Sequence, residues 1–230
     1  MTVEAWLTPD APAVFPEVAR RAVYAAIALR RDVRHFRAGV EVDQAVLERI
    51  LAAAHRAPSV GLSQPWRFIL MRDLARRERI LASFRRCRAL EAASFPPARR
   101  EAYLSLKLEG IVEAPLNVCV VADLRPRRET VLGTVVQPDS LRGSVYCAVE
   151  NFWLAARVEG IGVGWVSIVE PAVLRAELAL PAGVEPVAYL CVGHPVAFRQ
   201  KPMLTEAGWA GGLSLDDVVR TETWSEATTR

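Results

Sequence analysis

NFWLAARVEGIGVGWVSI, residues 151–168, runs from an apolar stretch into a glycine-rich one, and that order decides the fold class. Upstream, SVYCAVENFWLAARVEG (144–160) reads as a strongly apolar helix stopped by Gly160. Downstream, GVGWVSI (162–168) reads as a strand. Gly160, Gly162 and Gly164 have the look of a dinucleotide fingerprint, but that fingerprint follows a strand and opens a helix, and Trp165 stands where bulk is not tolerated. A Rossmann-type dinucleotide site is therefore rejected at this segment. The glycines read instead as a place where a flat ligand approaches the backbone, with Ser167 projecting a hydroxyl beside it; a packed, glycine-rich start to a strand accounts for them equally.

Outward from this segment, helices and strands keep alternating. A helix is expected from about Pro16 to Arg30, with Val18, Ala22, Ala25 and Leu29 on one face. EVDQAVLERILAAAHRAPS (41–59) repeats apolar residues at helical spacing, with Asp43 as cap and Pro58 as stop. WRFILM (66–71) reads as a buried strand, Leu74–Phe95 and Arg99–Glu113 as helices, and Leu116–Ala122 as a core strand. Residues 124–142 read as a long loop, 171–178 as a short helix and PVAYLCVG (186–193) as a strand. The alternation gives one α/β or α+β domain spanning 1–230. An irregular arm occupies 1–17 and an extended one 194–230; the latter suits a path over a second subunit. The helix over Val145–Ala156 has so little polar face that it belongs in the core or in a dimer interface.

The 230 residues carry a net charge of +3, with 52% hydrophobic and 24% charged, which is enough for one substantial core and too balanced for nucleic acid as a general partner. Cys87, Cys119, Cys147 and Cys191 form no CxxC; the last three lie in apolar surroundings that predict buried free thiols. With His35, His55 and His194 added, no zinc site can be read, and no metal is expected. The amino terminus lacks a signal pattern, and no apolar run reaches the ~18 residues of a membrane span. A reducing cytoplasm is the expected compartment.

Four segments carry candidate chemistry. RRDVRHFR (30–37) crowds arginines around one acid, Asp32. Arg30, Arg31 and Arg34 repel one another unless an anion such as a phosphate sits among them; a solvated basic turn with Asp32 as an ordinary ion-pair partner is the alternative. APSVGLSQPW (57–66) offers small and amide side chains next to a strand, suited to a planar polar ligand or to nothing beyond a connection. In SLKLEG (105–110), Lys107 is a lone cation placed on a helix, facing either a ligand oxygen or solvent. FRQKP (198–202) adds Arg199 near the tail. No Walker A sequence, GxSxG elbow or HExxH occurs, which leaves phosphoryl transfer, serine hydrolysis and zinc proteolysis without a foothold.

Together, RRDVRHF (30–36), AAHRAPSVGLSQPWRFIL (53–70), SLKLEGIVEAPLNVCV (105–120) and NFWLAARVEGIGVGWVSI (151–168) resemble the flavin-binding nitroreductase family. Within it they resemble the branch that makes 5,6-dimethylbenzimidazole, over about residues 18–224. The resemblance implies an α+β, three-layer fold with a central mixed sheet flanked by helices, and a homodimer with exchanged terminal arms and flavin sites at the subunit interface. It implies that Arg30, Arg31, Val33 and Arg34 hold the FMN phosphate and ribityl region, and that Ser59 bonds the flavin with Gln64 and Pro65 near the ring. It further implies that Lys107 reaches the flavin, that Gly164, Trp165, Ser167 and Ile168 line its edge, and that Arg199 and Gln200 close the phosphate end.

The implied reaction consumes reduced FMN as substrate, with dioxygen as co-substrate. It fragments the ring system to 5,6-dimethylbenzimidazole and erythrose 4-phosphate, with FMNH2 supplied by a separate flavin reductase. Asp32 would be general base and acid at the ribityl carbons, its carboxylate favoured by the arginines, and Ser167 would hydrogen-bond beside flavin N5. The rival expectations are NAD(P)H-dependent reduction through recycled FMN, reduction of a corrin cobalt, or a flavin carrier.

Overall fold

A computed structural model describes residues 13–125 and 129–224. Most of the expected amino-terminal arm (1–12) and the end of the tail (225–230) lie outside the described residues.

The centre is β2 (Leu116–Asp123), buried on both faces through Ala122, which is why it reads as a continuous apolar run. On one side it pairs with β1 (Trp66–Met71), on the other with β4 (Val184–Gly193), and β4 pairs with β3 (Gly162–Trp165), giving the order β1-β2-β4-β3. All of these pairings are antiparallel. The one parallel contact among the described residues, an isolated bridge between Asp32 and Val163, lies outside the named strands. The β2–β4 register slips between Val120 and Val121, where Pro186 enters the pairing without an N–H to give.

Both sheet faces are covered. Val118, Val120, Leu190 and Val192 meet α2 (Gln44–His55) and α5 (Ser140–Val158) through Leu47, Ile50, Val149 and Phe152. Cys119, Val121, Tyr189 and Cys191 meet α3 (Leu74–Ala93) and α6 (Pro171–Glu177) through Ile80, Phe84 and Leu174. This is the three-layer arrangement expected. Asp43 caps α2 by accepting the Val46 amide at 3.0 Å. Asp43→Ala is expected to cost about 1 kcal/mol, read as a lowered Tm with unchanged activity.

Several elements differ from the sequence reading for identifiable reasons. The helix expected over 99–113 is α4 (Pro97–Ser105) and stops eight residues early. Leu106, Ile111 and Ala114 are buried, and Gly110 approaches Phe36 so closely that a Cβ would lie 2.6 Å from the ring; tertiary packing overrides the helical period. Lys107 therefore sits beyond the helix. WRFILM is an edge strand with Arg67 and Leu70 exposed rather than a buried one. Cys147 lies on the open face of α5, whereas Cys119 and Cys191 are buried and their thiols pushed up to about 12 by desolvation. None of the residues of α1 (Glu17–Leu29) is buried, and Val18, Val23 and Tyr24 stand out into solvent.

The tail beyond β4 carries α7 (Met203–Glu206) and α8 (Leu215–Val218), and its Trp209 packs against Phe95 and Tyr103 of the same chain. No helix among the described residues is long and apolar enough to cross a membrane.

Candidate active site

Residues 31–36 leave the end of α1 as extended chain and dock along the free edge of β3. Val33 donates its amide to Val163 O at 2.9 Å, and Asp32 bridges Val163 in parallel. On the other side Arg37 donates to His194 O (2.9 Å) and Val196 to His35 O (3.1 Å), so the basic segment is held between β3 and the start of the tail. The glycines of β3 make room for it. A Cβ on Gly164 would lie 2.1 Å from Val33 O, and one on Gly162 2.9 Å from the Val33 side chain. On this face Gly162 and Gly164 make room for Val33 of the docked segment, its side chain at Gly162 and its carbonyl at Gly164.

This docking aims Asp32. One carboxylate oxygen accepts the Trp165 amide at 2.9 Å, and the other takes a hydrogen bond and ion pair from Arg34. Arg34 also donates to Trp165 O at 2.6 Å, which closes a ring of three residues. Burial pushes the Asp32 carboxyl above its ordinary range, against the opposing pull of Arg34, the Trp165 amide and Arg30. The expected direction was downward: desolvation at this site outweighs the arginines. Trp165 is fixed in turn by an aromatic row, stacked on Tyr146 (6.0 Å) and tilted against Trp153 (6.3 Å), with the Arg30 guanidinium 4.7 Å above Trp153.

Arg31 is turned to the tail, donating to Gln200 O at 2.7 Å, while Arg199 pairs with Glu206. Arg31, Asp32, Arg34, Arg199 and Met203 line a cavity of about 30 Å3, the room of about one water. The Nε atoms of Arg31 and Arg34, and Nη1 of Arg34, are buried without a hydrogen-bond partner. Unpartnered guanidinium donors beside a small cavity suit the oxygens of an anionic group. The cavity itself is far too small to enclose a flavin, so a ring system must lie against open surface or be covered by another chain.

The other predicted residues stand elsewhere. Ser59 accepts the Gln64 amide on its Oγ at 3.1 Å, in a loop where Gly61, Leu62 and Gln64 all have positive φ. That loop is tied to α5, the Val60 amide donating to Ser144 Oγ at 3.1 Å. Gln64 opens, with Ser63 and Trp66, on a separate cavity of about 700 Å3 that follows Pro65 onto β1. Lys107 is held by Glu113 at 2.6 Å and Glu109 at 3.0 Å. Burial draws its ammonium down, but those hydrogen bonds outweigh this and hold it above its ordinary range. Ser167 is exposed and Ile168 half-buried, just past the end of β3. One chain therefore assembles the arginine, Asp32, Trp165 and Arg199 group, while the Ser59–Pro65 and Lys107 groups do not line that cavity.

Sequence reasoning overlooked Glu109, Glu113, Tyr146, Trp153, Met203 and Glu206. Tyr146 and Trp153 sat inside an apolar helix with no sign of which face met Trp165. The acid near each cation was visible, Glu109 two residues from Lys107 and Glu206 seven from Arg199, and such proximity is the one signal that was available. No cluster of His, Cys, Asp and Glu among the described residues is able to hold a metal.

The nitroreductase-family model matches residues 27–194, which take in the whole sheet and the docked basic segment. The chain belongs to the nitroreductase family. Among relatives, a Rhodospirillum rubrum protein named 5,6-dimethylbenzimidazole synthase is 47% identical over 180 residues, covering 78% of this chain and 85% of the relative. A Rhodobacter capsulatus protein of the same name is 38% identical over 199 residues, covering 86% and 96%. Among solved structures, an iodotyrosine deiodinase bound to FMN and 3-iodo-L-tyrosine superposes with a TM-score of 0.69 at 20% identity, over 88% of this chain and all (100%) of that one; it speaks to the nitroreductase fold alone.

Proposed function

We propose that this nitroreductase-family protein is a 5,6-dimethylbenzimidazole synthase, acting on reduced FMN with dioxygen and releasing erythrose 4-phosphate. The observation that carries the reading is the Asp32–Arg34–Trp165 ring. A single acid, aimed by a backbone amide and a guanidinium, sits at a cavity that Arg31, Arg34 and Arg199 also line. The relatives named for this activity are similar over most of their length.

FMN supplies the isoalloxazine ring and ribityl chain that become the products; the protein supplies grip and proton transfer. Arg31, Arg34 and Arg199 take the phosphate, the unpartnered donors of Arg31 and Arg34 being groups left for it, and fix the ribityl chain in register with Asp32. Arg30, held over Trp153, and the Gln200 carbonyl that Arg31 engages keep the walls in place. Asp32 moves the protons at the ribityl carbons. A carboxyl raised above its ordinary range is a stronger base when ionised, closer to the working pH that general base catalysis favours. Gly164, Trp165, Ser167 and Ile168 border the ring edge. Ser59, Gln64, Pro65 and Lys107, which do not line the cavity, reach the ring from their own or from a second copy of the chain. The protein works as a homodimer fed by a separate flavin reductase.

The test is to mix the protein with chemically reduced FMN in air and separate the products by chromatography. 5,6-Dimethylbenzimidazole in proportion to flavin lost is expected. Flavin recovered intact over repeated reduction and oxidation, with direct NAD(P)H oxidation by the protein, would instead place it with the electron-transferring members of the family.

A further inference from the structure

The tail segment that carries Arg199 is fastened at both ends. At the near end Val196 donates to His35 O (3.1 Å), beside the arginine segment. At the far end Trp209 is inserted into the α3–α4 hairpin: its ring meets Phe95 edge-on at 5.3 Å and Tyr103 at 5.9 Å, and the Arg99 guanidinium lies 4.1 Å above it. The hairpin side is itself braced, Tyr103 donating to Glu91 at 2.6 Å. The turn that delivers Trp209 is closed by its own amide to Leu204 O (2.8 Å), across Gly208 at φ +67°. Between the two fastenings, Ala197, Arg199 and Met203 form one wall of the 30 Å3 cavity whose other wall is Arg31–His35.

The geometry points to Trp209 as a positioning residue for the phosphate grip: its seat in the Phe95–Tyr103–Arg99 pocket sets where Arg199 stands relative to Arg31 and Arg34. This rests on the proposed reading that those arginines take the FMN phosphate. Trp209 touches no ligand. A half-buried aromatic packed on two rings with a cation on its face is an anchor of well-defined geometry, whereas Arg199 itself is half exposed and tied to the exposed-side Glu206 by a pair that gives little rigidity of its own. Without the anchor, Phe198 and Gln200 keep their contacts with Arg157 and Arg31, but the stretch 203–208 that carries Glu206 is released, and Arg199 loses the partner that fixes its distance to the cavity.

The experiment compares FMN with riboflavin, which lacks the phosphate, by fluorescence titration of the full-length protein without reductant. Trp209→Ala is expected to weaken FMN about tenfold, the scale of one charge-assisted hydrogen bond, and to leave riboflavin affinity unchanged; Trp209→Phe is expected to restore most of it. Arg99→Gln, a milder change on the surface, gives the same pattern in smaller measure and stands in if the alanine variant fails to fold. Equal weakening of both flavins, or no change in either, overturns the positioning role. Arg199→Ala separates this from the site itself. If it abolishes the preference for FMN over riboflavin while both Trp209→Ala and Arg99→Gln keep it, the phosphate reading stands and the anchor fails. If Arg199→Ala keeps the preference, both fall.

Discussion

Asp32→Asn is expected to bind FMN with near-native affinity and to form 5,6-dimethylbenzimidazole about 10²–10⁴-fold more slowly, the span of a lost general acid–base group. Asparagine keeps the shape and an oxygen able to accept the Trp165 amide that Asp32 now accepts at 2.9 Å, so the docked segment and the arginines beside it should stay in place. What it loses is the ability to take and return a proton. Chromatography after aerobic incubation with reduced FMN reads the rate, and flavin titration reads the binding. A variant that makes product at the native rate would remove Asp32 from the chemistry.

The same substitution has an opposite consequence for stability. The folded-state pKa of Asp32 is raised, so folding takes up a proton in the carboxylate range, and stability falls as pH climbs from the unfolded value toward the folded one. Above that window the ionised acid is a standing cost. Asp32→Asn is therefore expected to raise Tm at neutral pH, with the gain shrinking as pH drops through the carboxylate range. A more stable and inactive variant is what a site strained for function produces.

Much of the fold was legible because its strongest signals are local. The run Leu116–Ala122 reads as a core strand since both faces are buried, and Asp43 and Gly160 mark helix ends by chemistry that does not depend on the rest of the chain. The failures lie where distant residues decide. Leu106–Glu113 has helical spacing but is drawn out by Phe36 against Gly110, and WRFILM has the composition of a buried strand but sits at the sheet edge. At the site, Asp32 and the arginines were visible as a cluster in one short run. The direction of the Asp32 shift was not, because charge can be counted along a sequence whereas desolvation depends on what folds over it. Nor did spacing reveal that Glu109 and Glu113 would hold Lys107, since that pairing forms only once the expected helix is broken.

Gly164→Ala is the substitution on which the docking of the arginine segment turns. The added methyl would lie 2.1 Å from Val33 O, 3.2 Å from its carbonyl carbon and 3.3 Å from Arg34 Nη1; the first of these is backbone, with no rotamer to relieve it. Either β3 or residues 32–34 must move away. Both routes lengthen the Val33–Val163 hydrogen bond, now 2.9 Å, and pull the Trp165 amide off Asp32. Overpacking of this kind costs about 1–3 kcal/mol, and at roughly 2–4 °C per kcal/mol for a chain of this size the Tm should fall by about 2–12 °C. FMN binding should be lost with it, because the phosphate-facing arginines travel with the displaced segment. Gly143→Ala is the matched control: that glycine lies within α5 with nothing within 4 Å of an added Cβ, so the helix should gain about 0.5–1 kcal/mol and flavin affinity should not change. If both alanines left Tm and flavin binding alike, the close approach of Val33 to β3 would not be what holds the acid and its arginines in position. The difference between them therefore measures how tightly a single missing methyl group at position 164 couples the strand to the site.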